Sequence, residues 1–81
     1  YWGIQVIHSN LPKHKDIGTI TKFNYVITGQ QCDTNFYNDE DELIETVILE
    51  HEQWYILNTN VTHEVTDVND VRISITGKIT P

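Results

Sequence analysis

The chain contains no alanine and few leucines, while Ile, Val and Thr supply more than a third of its 81 residues. That bias constrains the fold more than any other feature of the sequence. β-Branched side chains lose rotamer freedom against the preceding turn of a helix but pack well on a pleated surface. No stretch shows a 3.6-residue apolar period with capping residues at its ends. Short apolar runs instead alternate with turn chemistry, and they predict strands over 3–8, 19–28, 33–37, 43–50, 54–58, 61–66 and 71–79. A short piece over 13–16 completes a set of eight, following Pro12, whose missing N–H suits an edge or a turn. Gly29-Gln30 ends the second long run, residues 38–41 form a polar connection, and 67–70 read as a hairpin loop between the last two strands. The fold class implied is all-β, a sandwich or barrel.

Size and charge narrow the range of functions. A chain of 81 residues holds one domain and one small core. It begins at Tyr1 and has no methionine, so we expect a core trimmed at its N-terminus. No run approaches the roughly 18 apolar residues of a membrane span, and the expectation is no membrane association and a cytoplasmic location. Cys32 stands alone, which excludes an internal disulfide and a thiolate zinc site and leaves it as a small buried hydrophobe. The formal charge of −7 and the acidic run Asp39-Glu40-Asp41-Glu42 argue against a nucleic-acid partner, which would demand clustered Lys and Arg. The four lysines, Lys13, Lys15, Lys22 and Lys78, form no obvious stripe, and the acidic run reads as a solvated loop.

The residues that carry chemistry come in a definite order: His14-Lys15-Asp16, then His63, then Arg72-Ile73-Ser74, with Arg72 the only arginine. Two imidazoles and a carboxylate can take one face of an octahedral iron(II) and leave the opposite face for ligands. An arginine nearby can grip the far carboxylate of a bidentate organic acid. Strand alternation supports the grouping. Val61, His63 and Val65 share one face, while Thr62, Glu64 and Thr66 share the other, so His63 points into an apolar interior. In the last strand Arg72, Ser74 and Thr76 face one way, and Val71, Ile73 and Ile75 face the other.

In pattern and order the chain resembles the Fe(II)/2-oxoglutarate-dependent dioxygenases, with their His-x-Asp, distal His and an Arg about ten residues later. Compact prolyl or aspartyl/asparaginyl hydroxylase-like members are the most similar. The resemblance implies a double-stranded β-helix (jelly roll) over residues 1–81, with the helices that flank the core in that family missing. It implies His14, Asp16 and His63 as ligands of iron(II), and Arg72 and Ser74 as the clamp for the cosubstrate 2-oxoglutarate. Tyr25, on one face with Thr21, Phe23 and Ile27, either adds its phenol to that clamp or is a core aromatic. The implied activity couples decarboxylation of 2-oxoglutarate by O₂ to hydroxylation of a peptide, amino acid or small metabolite.

The residues leave alternatives open. His8, six residues before His14, is a second possible ligand, while His51 reads as a surface or edge residue. A cupin-like metal protein or isomerase would share the architecture but has no need of Arg72, and a non-catalytic β-sandwich binding module would never bring the three ligands together. Without flanking helices, the apolar face of Val71, Ile73 and Ile75 is expected to lie bare and to promote self-association.

Overall fold

The β-branched runs do form strands. The computed structural model describes residues 2–16, 18, 21–29, 32–68 and 70–79. It contains β1 (Trp2–Ile7), β2 (Leu11–His14), β3 (Thr21–Gly29), β4 (Asp33–Tyr37), β5 (Leu43–Ile48), β6 (Trp54–Leu57), β7 (Thr62–Thr66) and β8 (Arg72–Ile79). Among the described residues there is no helix, and so none long and apolar enough to cross a membrane. Every expected strand has a counterpart, with ends shifted by a few residues. The largest shift is at β2, which starts earlier than expected and stops at His14, leaving Asp16 beyond the strand. Residues 19 and 20 of the expected second strand lie outside the described residues.

The strands pair antiparallel into two four-stranded sheets, in the orders β1-β8-β3-β6 and β2-β7-β4-β5. Only the β4–β5 connection stays within one sheet; every other connection passes from one sheet to the other. This overturns the expected hairpin at 67–70, because β7 and β8 belong to different sheets. Turn-forming residues mark where a chain changes direction, but not which strand it meets next. The one true hairpin turns on Asn38, whose Oδ1 accepts from the N–H groups of Glu40 (3.0 Å) and Glu42 (2.9 Å). Asp41 there adopts a left-handed φ of 62°, tolerable for an aspartate. The acidic run is therefore a turn, tethered by Lys13 to Asp41 at 3.0 Å.

The apolar core is small and lies toward β6. Val26, Phe36, Leu49 and Leu57 form it, with Val47, Tyr55 and Val61 packed alongside. Beyond it Ile7, Cys32 and Val65 are also buried, and much of the remaining interior is polar: Asn24, Thr34, Thr59, His63, Arg72, Ser74 and Thr76 are all buried. On the first sheet the alternation is turned inside out. Trp2, Ile4 and Val6 of β1 lie opposite Gly77, Ile75 and Ile73 of β8, and these continue to Phe23 and Tyr25 of β3 and to Trp54 and Ile56 of β6, all on the outer face. Trp2, Ile4, Trp54 and Ile56 are more than half exposed there.

Candidate metal centre

The pairing of β2 with β7 sets His14 directly opposite His63. Their rings lie 4.3 Å apart between centroids. Each ring is held by the same local device: Nδ1 sits 2.7 Å from the Pro12 carbonyl in His14 and 2.8 Å from the Val61 carbonyl in His63, in each case two residues back along the strand. A carbonyl only accepts, so Nδ1 carries a proton in both rings and Nε2 is the nitrogen turned toward Asp16. Asp16 completes the group from beyond the end of β2. Its N–H donates to the Thr59 carbonyl at 2.9 Å, and its Oδ1 lies 3.3 Å from His14 Nε2 and 4.0 Å from His63 Nε2. The three donor atoms lie within 4.8 Å of one another.

Burial tunes this group toward metal binding. His63 is buried against the Phe36 ring, with centroids 5.8 Å apart, while His14 and Asp16 are partly open to solvent. Desolvation pushes the His63 imidazole below the usual histidine pKa, opposed by its bond to the Val61 carbonyl and reinforced by the neighbouring His14. A neutral imidazole is the form that ligates. Two imidazoles oriented by backbone carbonyls and one carboxylate are a donor set of the kind that suits iron(II).

A cavity of about 100 Å³ runs from this group between the sheets and opens to solvent beside His14 and Asp16. Its walls include His14, Asp16, His63 and Arg72, with Phe36, Leu49 and Leu57 as apolar lining. Arg72, the first residue of β8, is 2 % exposed, yet its Nε and Nη1 have no hydrogen-bond partner. Desolvation pulls its guanidinium below the usual value, but an arginine stays charged in a protein. Ser74, next on the same inward face, also has a buried hydroxyl without a partner. Buried polar atoms are nearly always satisfied, so such a cluster points to a ligand that completes it.

The sequence therefore located five of the six candidate residues on the inward side. Tyr25 is the correction. Its ring packs on Trp54 at 5.0 Å on the outer face, away from the cavity, and β3 turns Asn24 and Val26 inward instead. His8 is exposed and outside the triad, and the His51 ring bonds to the Gly29 carbonyl. Asn24, Lys22 and Lys78 on the cavity wall were not anticipated. Inward parity with Arg72 and Ser74 hinted at Lys78, but for β3 the apolar residues suggested the opposite face.

No protein-family model matches the chain, and neither does any curated protein or any solved structure.

Proposed function

We propose that this chain is the core of an Fe(II)- and 2-oxoglutarate-dependent dioxygenase that hydroxylates a small molecule, amino acid or peptide. The observation that carries the reading is the pairing of a converged His14–Asp16–His63 group with a buried Arg72, whose Nε and Nη1 lack partners, on one cavity. The strand orders β1-β8-β3-β6 and β2-β7-β4-β5, with nearly every connection crossing between sheets, support a double-stranded β-helix.

In this reading His14, Asp16 and His63 hold the iron, and Arg72 takes the distal carboxylate of 2-oxoglutarate through a charge-assisted pair that a buried guanidinium otherwise lacks. Ser74 adds a hydroxyl donor beside it. Iron(II), 2-oxoglutarate and O₂, when bound, supply the oxidising power for hydroxylation. The protein orients both acids of the cosubstrate and keeps His14 and His63 in the ligating tautomer. Phe36, Leu49 and Leu57 limit water along the apolar wall. A cupin-like protein without 2-oxoglutarate would leave the buried charge of Arg72 unexplained, and a plain binding module would leave the triad so. The bare outer face of the first sheet supports self-association as a further property.

Turnover in the absence of any prime substrate tests the reading. Slow formation of succinate from 2-oxoglutarate should require both iron(II) and O₂ and should vanish in Asp16→Ala. Succinate formation at background level in fully iron-loaded protein would sink it.

A further inference from the structure

The charge of the cavity is opposite to that of the molecule. The chain carries twelve acidic and five basic residues, yet Lys22, Arg72 and Lys78 line this one cavity, and among the described residues Asp16 is the only acid on its wall. The β3–β8 register sets Lys22 directly opposite Lys78 and places Arg72 at the other end of β8, opposite Gly29. Like charges facing each other across a sheet weaken the pairing, so a structure that keeps them needs a reason.

Lys22 is the more informative of the two. It is partly buried, and its ammonium reaches Gln5 Oε1 at 3.4 Å, a long contact to a neutral group. Burial pulls it below the usual lysine value; Asp16 pulls the other way, while Lys78 and Arg72 add to the lowering. Asp16 itself is turned to His14 and His63, at 3.3 and 4.0 Å. Close by, the buried Asn24 Oδ1 and Thr59 Oγ1, both on residues that line the cavity, have no partner. The cavity thus offers a cation, a hydrogen-bond acceptor and a hydroxyl that the proposed cosubstrate clamp does not use.

We infer that Lys22, with Lys78 opposite it, receives the acid group of the molecule to be oxidised, and that this substrate is a small carboxylate bearing an O–H or N–H donor for Asn24. The inference rests on the dioxygenase reading in one respect, that 2-oxoglutarate occupies Arg72. Iron(II) with Asp16 then carries one positive charge and 2-oxoglutarate with Arg72 one negative, so the field of Lys22 is left for a second anion. The acidic exterior repels large polyanions, and the cavity admits only a small one.

The test titrates malonate and its neutral diamide calorimetrically into metal-free Arg72→Met protein, in which the clamp is removed with little change of volume. Malonate should bind and the diamide should not. Adding Lys22→Gln should weaken malonate at least tenfold, and Lys22→Arg in the same background should restore it to within threefold. Because Lys22→Gln removes a desolvated charge, its melting temperature should stay level or rise, which separates lost binding from lost folding. Absence of malonate binding to Arg72→Met, equal binding of the diamide, or unchanged affinity after Lys22→Gln would each overturn the inference. None of these outcomes touches the dioxygenase reading, which stands or falls on 2-oxoglutarate binding to iron-loaded protein with Arg72 intact.

Discussion

The two sheets of this sandwich face water in opposite ways. The outer surface of β2-β7-β4-β5 carries a polar ladder beside the exposed Leu43, Ile44 and Ile48 of β5: Asn35 donates to Glu64 (3.1 Å) and Thr66 (3.2 Å) and accepts from the Thr46 hydroxyl (2.8 Å), and the Tyr37 hydroxyl donates to the same Glu64 carboxylate. Its inner surface carries Phe36, Val65 and His63. The first sheet reverses this order, with Lys22, Asn24, Arg72 and Ser74 inward and Trp2, Ile4, Tyr25, Trp54 and Ile56 outward. A sheet that only had to stabilise a core would not bury an arginine, a serine and an asparagine with polar atoms unmet, since each unsatisfied group costs about 1–3 kcal/mol. Both sheets supply the core, Val26 and Leu57 from the first and Phe36 from the second, but the unmet polar atoms of Asn24, Arg72 and Ser74 all lie on the first.

Four tests by substitution probe this contrast, in decreasing order of effect. His63→Ala or Asp16→Ala should abolish iron(II) binding in an anaerobic titration, since each removes one of only three donors; wild-type affinity in either would dissolve the site. Arg72→Ala should leave iron binding intact and weaken 2-oxoglutarate by about 2–4 kcal/mol in calorimetry, the loss expected when a buried carboxylate forfeits its charged partner. Asn35→Ala on the second sheet should cost about 1 kcal/mol in denaturant unfolding and nothing in ligand affinity, because its ladder is structural. Ile4→Lys with Ile56→Lys, at positions 72 % and 71 % exposed, should change stability by no more than about 0.5 kcal/mol each while shifting sedimentation toward the monomer.

The same contrast explains what could be read from the sequence. On β7, apolar alternation and burial agree, so the inward orientation of His63 followed from Val61 and Val65 alone. On the first sheet they disagree. β8 was still legible because Arg72 and Ser74 drew notice as chemistry, whereas in β3 the apolar Phe23, Tyr25 and Ile27 suggested the interior and were in fact the exterior, with a register shift between Val26 and Thr28. Lys22 and Lys78 are 56 positions apart in sequence and meet only through the β3–β8 register, which no local pattern encodes. The hairpin expected at 67–70 failed for a related reason: a turn does not specify its sheet. The triad was expected only from the family resemblance, and the structure brings it together because β2 pairs with β7 and sets His14 opposite His63.

The account's central claim is that one cavity holds a metal beside a clamp for a dicarboxylate. Anaerobic titration of the wild-type chain with iron(II) and 2-oxoglutarate, followed by visible absorption, tests it most directly. The account predicts a weak charge-transfer band that needs both components and is lost in Arg72→Ala while iron binding persists. Iron binding with no band at saturating 2-oxoglutarate, or a band indifferent to Arg72, would contradict it.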